Sequence, residues 1–449
     1  MAGNNTYSQL SSDVESYIAD ETLPLARRQL VAYQFGDPLT LDKGRGTSYT
    51  ATRYNRLPLP YAPLAEGVGP AQGESLTISQ VTATVQQWGD KVVITDVAEM
   101  TVKHPLFKKA TELVALQMAE TLERNTFNAL MAGTQVNYVN GRGSRAALQS
   151  GDVLDPTTVI RTDAALETLG APRYMGDEQT DDKQDVDAGG RQASADPRAM
   201  PHYAAIIHTL AVGDFRQAST VITAWSYSDL NRLYNYEVGE WSGIRFCKSN
   251  LVPTFTGVAQ ITGTPGTAGS LATNTYYIQV TASDTQNQYE SRIYQVSGAL
   301  SVTGATGSVS VTLPALTGYT FNVYIGTTSS PANLGLCAAG PTAGTLTGQA
   351  VQLAPGQTVV ITGTGIAQTP PAAPATGLTV YPTFIFGRGA YGQVVLDNAK
   401  FSYLTGPDKS DVLNQLRVIG WKVMYGTLIE NQQFFARIES VSAFTSTFS

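Results

Sequence analysis

PLFKKATELVALQMAETLERNTFNALMAG, residues 105–133, is the stretch that decides the fold. Pro105 suits the first helical position, where a missing N–H costs nothing. Leu106, Ala110, Leu113, Val114, Met118, Leu122 and Ala129 then recur at steps of three and four, one face of a helix. Gly133 supplies the stop. At 1.5 Å per residue such a helix runs on the order of 40 Å. Few ordinary domains use one that long, and its surroundings say what it is for.

Upstream the chain reads as extended. A Gly- and Pro-dense region, residues 36–75, holds one strand, Thr47 to Tyr54. Residues 76–95 follow with Leu76-Thr77-Ile78, Val81 to Val85 and Val92-Val93-Ile94, a Thr/Val/Ile strand pattern. Two such segments make a long hairpin with little core of its own, which wants a partner surface. Leu57, Leu59, Tyr61 and Leu64 would be an apolar patch in a monomer. Residues 1–35 read as an arm with a short helical patch around Val14 to Leu30, broken by Pro24. Downstream, a second helix is expected from Asp155-Pro156 to Gly170, with Val159, Ile160, Ala164, Leu166 and Leu169 apolar. A polar, acidic loop spans 176–200, and mixed segments continue to about Asn250.

Composition then shifts. From Leu251 to Ala375 the only charged residues are Asp284, Glu290 and Arg292. Strand-like runs recur at Val258–Ile261, Tyr276–Thr281, Ser291–Val296, Val309–Leu313, Tyr319–Ile325, Val351–Leu353 and Val359–Ile361. About seven strands in about 125 residues is the count of an immunoglobulin-like sandwich. Val252-Pro253 and Thr369-Pro370-Pro371 flank it, as rigid hinges of an inserted domain would.

The chemistry-bearing motifs are weak. Gly387-Arg388-Gly389-Ala390-Tyr391-Gly392 matches a dinucleotide fingerprint, yet Gln393 to Asp397 after it reads as strand where a helix is required. A glycine turn between strands is the better reading. Asp185, Asp187, Gly190 and Asp196 sit at calcium-loop spacings, with glycine at position five and no flanking helices, so a solvated loop is expected. His104, His202 and His208 have no ligand partner at helical spacing. No nucleophile–base set can be assembled. No catalytic, cofactor-binding or metal-binding residue is therefore assigned, and no enzyme or cofactor is expected. Arg27-Arg28, Lys43/Arg45, Arg53/Arg56, Lys108-Lys109 and Arg142/Arg145 are basic clusters that read first as solvated faces and ion pairs.

A net charge of −7 argues against a duplex-DNA binder as a whole. The first 20 residues lack a basic and apolar leader, no run reaches membrane-spanning length, and two isolated cysteines, Cys247 and Cys337, suit a reducing compartment. A product made and assembled inside a cell is expected.

The order of parts resembles the Hong Kong 97-type coat proteins of tailed phages. The resemblance rests on Gln34-Phe35-Gly36, Arg53-Tyr54-Asn55 with Leu57-Pro58-Leu59, Glu66-Gly67, Gln87-Trp88-Gly89-Asp90, Glu120 to Asn125, Gly389-Ala390-Tyr391-Gly392 and Val418-Ile419-Gly420-Trp421-Lys422. It covers roughly 10–250 and 378–440. It implies an α+β coat fold: an N-terminal arm (1–35), an extended two-stranded loop (36–95), a spine helix and peripheral domain (96–150), an apical domain (151–250), an inserted immunoglobulin-like sandwich (251–376) and a return to the core (377–449). It also implies a major capsid protein: hexamers and pentamers in an icosahedral phage head around double-stranded DNA, assembled in the host cytoplasm. Scaffold, portal and decoration proteins and non-specific contact with packaged DNA are the partners it suggests, with no membrane. Some relatives cross-link through Lys and Asn; Lys43 and Lys91 lie near the loop, but no acceptor or catalytic carboxylate can be singled out, so no cross-link is expected. The rival reading is a surface adhesion protein carrying the sandwich, against which the missing leader counts.

Overall fold

The computed structural model describes residues 30–44, 46–54, 57, 75–101, 106–174, 201–217, 222–223, 234, 236–284, 290–304, 306–337, 345–346, 353–364, 368–404 and 415–444. Two compact units emerge, each discontinuous in sequence: 1–131 with 388–434, and 132–387 with 435–449.

In the first unit the long helix is Leu106–Leu130. It packs on a four-stranded sheet ordered Asp37–Thr40, Tyr391–Leu404, Leu416–Ile429, Gln86–Thr95. Only the first pairing is parallel, Asp37 opposite Gly392. Along Leu416–Ile429 burial alternates, as one covered face requires. Ile419, Trp421, Val423 and Tyr425 point to the helix and meet Ala110, Val114, Met118, Ala119 and Leu122. Leu113, expected in that apolar set, is 61% exposed. It lies about 100° around the helix from Val114, beyond the stripe the sheet covers.

The expected hairpin forms from Ser48–Tyr54 and Ile78–Thr84, antiparallel with Tyr54 opposite Ile78. It is not wholly without support. Tyr49, Ala51, Ala83 and Val85 at its base pack with Leu39, Val394, Leu396 and Leu428 of the sheet. The Pro-rich segment 58–74 and the helical patch from Val14 to Gln29 lie outside the described residues.

The second unit is built around Thr379–Phe386, which is buried on both faces and reads as a nearly continuous apolar run. It pairs with Tyr203–His208 on one side and with Phe435–Val441 along its length. Tyr203–His208 in turn runs parallel to Ile244–Ser249. The second expected helix is Pro156–Thr168, with the Asp155 carboxylate accepting from the Thr158 N–H at 3.2 Å as its N-cap. Its buried face is Thr158, Val159, Thr162 and Leu166, whereas Ile160 (52%) and Leu169 (40%) are exposed. Of the apolar set expected from sequence only Val159 and Leu166 are thus inward, Ala164 being exposed as well, because the helix turns two threonines to the core. Thr162 holds its hydroxyl inside by donating to the Thr158 carbonyl and accepting from Asn137.

Residues 263–361 form two sheets face to face. One carries Asn274–Asp284, Glu290–Tyr294 and Tyr319–Gly326; the other is ordered Gly263–Leu271, Gly307–Thr312, Thr358–Ile361, Thr345–Leu346. Ile278, Val280, Phe321, Val323 and Ile325 meet Leu271, Val309, Val311, Val359 and Ile361 between them. The sequence pattern misses Gly263–Leu271. That strand has no apolar alternation, and Gly263 is required because an added Cβ would lie 2.7 Å from Val309 Cγ1. Pro265 is tolerated there because the strand is at a sheet edge.

The Pro-rich flanks are not free hinges. Phe255–Val258 pairs with Glu290–Tyr294 and with Thr379–Phe386, so one sheet runs continuously from the sandwich into its host. Gln295 also donates to the Pro374 carbonyl at 2.5 Å. No helix among the described residues is long and apolar enough to cross a membrane.

Candidate assembly surface

The motifs quoted above converge on one place in the first unit. Glu123 sits on the buried stripe of the long helix, 1% exposed. Its carboxylate accepts from three successive backbone N–H groups of the arm: Val31 (3.0 Å), Ala32 (2.6 Å) and Tyr33 (3.3 Å). These open the short 3-10 turn Ala32–Gln34, whose first N–H groups have no partner within it. From the other side, the Tyr391 hydroxyl donates to the Ala32 carbonyl at 2.5 Å and Gln393 donates to the Tyr33 carbonyl at 3.1 Å. Gly36 follows because an added Cβ would lie 2.7 Å from Gln393 and 2.8 Å from Tyr391. Burial pushes the Glu123 carboxyl up to about 7, against the pull of the three N–H donors. Half-buried Glu430, nearby in the same unit, is likewise pushed up to about 7, by burial and then by the charge of Asp37.

Gln87-Trp88-Gly89-Asp90 is explained by the same packing. Trp88 joins the helix-facing cluster. Gly89 is needed where the Trp421 carbonyl passes 2.5 Å from a would-be Cβ. Asp90 accepts from Gln117 at 2.6 Å, and Gln117 accepts from the Trp421 indole at 3.2 Å, tying strand to helix.

Beyond its base the hairpin offers apolar groups to solvent. Tyr54, Leu57, Leu76, Ile78 and Val81 are all exposed, Leu76 at 66%. Arg53 donates to Asn431 of the same unit. A second exposed apolar group, Val93, Val97, Met100 and Leu416, lies at the far end of strand Gln86–Thr95. Single exposed apolar side chains are ordinary; groups of them mark surfaces made to be covered.

The weak chemical motifs resolve into structure. Gly387 to Gly392 links Thr379–Phe386 to Tyr391–Leu404, a strand-turn-strand with Gly389 at φ +70°. His202 is buried and shares a hydrogen bond with the Tyr234 hydroxyl at 2.9 Å. His208 accepts from the Leu210 N–H at 3.1 Å, and burial lowers it to about 4. Cys247 and Cys337 are both buried, and burial pushes the Cys337 thiol up. The 185–196 loop and His104 lie outside the described residues, among which no group of acids, histidines or cysteines is placed to hold a metal.

The basic clusters are largely answered internally. Lys43 meets Asp397 (3.4 Å), Lys109 meets Glu112 (2.6 Å) and Arg142 meets Asp152 (2.8 Å). Arg145 makes a bidentate pair with buried Glu439 at 2.7 and 2.6 Å. Sequence reasoning missed Glu123 and Arg145 as organisers. The available signal was a carboxylate on the inward stripe of the long helix, between Ala119 and Thr126.

No protein-family model matches the chain, and no curated protein matches it. Solved structures do. The chain is similar to the capsid of Ralstonia phage GP4, with a TM-score of 0.51 at 8% identity over 94% of this chain and 93% of that one. The capsid of cyanophage P-SCSP1u follows at 0.45 and 11% over 92% and 88%. The head of Helicobacter pylori bacteriophage KHP40 gives 0.45 and 8% over 90% and 86%. At such identities the likeness is one of fold, and with the GP4 capsid it spans nearly the whole of both chains.

Proposed function

We propose that this chain is a shell-building subunit, the major capsid protein of a tailed bacteriophage. The observation that carries the reading is the coat fold over 94% of the chain. The hairpin gives it a physical reason. Its base is covered within the subunit and its outer apolar groups are not, so their burial waits for another copy. The two exposed apolar groups differ from each other and lie at opposite ends of one extended run, Ile78 to Thr95. Contacts between unlike surfaces are heterologous, and they form rings when the rotation between copies closes. Hexameric and pentameric capsomers in an icosahedral head follow, formed in the host cytoplasm around double-stranded DNA, with the role structural and not catalytic.

Electron microscopy of the purified chain tests this directly: shells or capsomer rings are expected, and a monodisperse monomer at high concentration overturns it. A triple change of Leu57, Leu59 and Tyr61 to Asp should abolish assembly and leave the helix-on-sheet core folded, since burying unpaired charge costs several kcal/mol, on the order of the whole interface gain per site. Normal shells from that variant would remove the hairpin from the contact.

The inserted segment is proposed to be an immunoglobulin-like module on the outer surface of the shell. Its own two-sheet core supports that reading. The continuous sheet dictates where to cut: replacing 263–361 with a short Gly/Ser linker removes the partner strand Glu290–Tyr294 but keeps Phe255–Val258 paired with Thr379–Phe386. Shells of normal size with smoother outer density are expected, and loss of assembly would make the segment part of the core.

A further inference from the structure

The sheet of the first unit has a second face, opposite the long helix. Register places Gln87, Gly89, Lys91 and Val93 there, beside Leu416, Val418, Gly420 and Lys422, then Ser402 and Lys400. Lys91, Val93, Leu416, Lys422, Lys400 and Ser402 are all exposed. Lys400 stands directly opposite Lys422, and Lys91 is the diagonal neighbour of Lys422, since Lys422 pairs with Gly89. Like charges directly opposite on neighbouring strands are destabilising. Asp397, in register beside these lysines, is shared by Lys400 (2.6 Å) and Lys43 (3.4 Å), while the other carboxylate in register on this face, Asp37, lies opposite Gly392 at the far end of strand Tyr391–Leu404. Strand Gln86–Thr95 is moreover the sheet edge: among the described residues no strand pairs with its outer side, and the Lys91 N–H donates to the Asp90 carboxylate at 2.8 Å.

A bare polyanion such as duplex DNA would have no use for Val93, Val418 and Leu416 between the lysines. An extended acidic segment with apolar side chains answers both. We infer that the occupant is the acidic stretch Asp13–Leu23 of a copy of this chain, laid across the lysine face along its free edge. Residues 1–26 contain Asp13, Glu15, Asp20 and Glu21 and no Lys or Arg, and Val14, Tyr17, Ile18 and Leu23 lie among the acids. The other acidic stretch, Asp177 to Asp196, carries Val186 as its only large aliphatic residue and includes Lys183 and Arg191. From Leu30, fixed against the helix, nine residues back to Glu21 span up to ~30 Å when extended. The inference rests on the shell reading in that copies of the chain meet.

The test places p-benzoylphenylalanine at Val93 of the full-length chain and maps its photo-crosslinks by mass spectrometry under assembly conditions. Crosslinks into residues 10–25 are expected, and they should weaken as salt rises from about 0.05 M to about 0.5 M, where exposed charges are screened. A K91E/K400E/K422E variant should lose them several-fold, and changing Asp13, Glu15, Asp20 and Glu21 to Lys in the same chain should restore them. Crosslinks to residues 175–200, to nucleic acid or to another protein overturn the inference, as does a folded triple variant that the charge swap fails to rescue. Should the triple variant misfold, the salt series on the otherwise unaltered chain decides. Shells seen by microscopy together with crosslinks elsewhere would leave the capsid reading standing and remove this one.

Discussion

Two buried glutamates, one in each unit, are satisfied in opposite ways. Glu123 in the first unit meets three neutral backbone N–H groups of the arm and, among the described residues, no cation in that cradle. Glu439 in the second, fully buried, is gripped by Arg145 through two bonds and approached by Arg437 at 3.1 Å. Arg145 also donates to the Ala372 carbonyl at 3.1 Å and stacks 3.3 Å over the Phe255 ring. It thereby ties the C-terminal strand to both strands of chain entering and leaving the sandwich. Charge is used where far-apart segments must be clamped permanently. Neutral amides are used where a single terminal segment must be seated, with a carboxylate whose protonation is within physiological reach.

The largest effect should come from Arg145→Ala. It leaves buried Glu439 with only the Arg437 guanidinium at 3.1 Å in place of its bidentate pair, a loss of up to about 3–5 kcal/mol. The second unit should melt early, and Arg145→Met with Glu439→Leu should recover much of the loss. Equal destabilisation by the single and double changes, measured by denaturant unfolding, would show that packing and not charge dominates there.

Glu123→Ala comes next. It leaves arm N–H groups without acceptors at about 1–3 kcal/mol for a buried group. Because the arm can leave and be solvated, the damage should be confined to it: amide exchange at 31–35 accelerates while strand Thr379–Phe386 keeps its protection. Slow exchange at 31–35 in the variant would mean that Tyr391 and Gln393 suffice.

The smallest effect is in pH, and its sign differs between the units. Glu123 and Glu430 are raised from 4.5 to about 7 in the folded chain, so they hold protons that the unfolded chain releases. Their contribution is full below about 4.5 and is lost as pH rises through about 7. His208 is lowered from 6.5 to about 4, so its contribution is full above 6.5 and is lost as pH falls toward 4. Exchange corrected for its intrinsic pH dependence should show the first unit loosening and the second tightening between pH 4.5 and 7. The same direction in both would break the comparison.

Much of this fold was legible in residues 78–95 and 106–130, where period-two and helical patterns are long and uninterrupted. The helix-facing set failed at Leu113, and the second helix at Ile160 and Leu169, because periodicity gives a stripe but not its width or rotation. The strand Gly263–Leu271 carried no pattern at all; packing against Val309 and Gly307 made it a strand. Of the apolar residues read from sequence as wanting cover, Leu57 is exposed, while Leu59, Tyr61 and Leu64 lie outside the described residues. The lysine face was not legible in sequence, since Lys91, Lys400 and Lys422 are brought together only by register.

By itself, the sequence determined the long helix, the hairpin, the low-charge strand-rich segment 251–375 and the absence of a legible catalytic motif. These follow from local periodicity, turn residues and composition, which neighbours along the chain suffice to set. Only the tertiary structure decided that Glu123 seats the arm, that Arg145 and Glu439, 294 residues apart, clamp the base of the sandwich, and that the flanking prolines lie beside a continuous sheet instead of on hinges. The worth of a buried charge depends on which distant group arrives beside it, and no local pattern encodes that arrival.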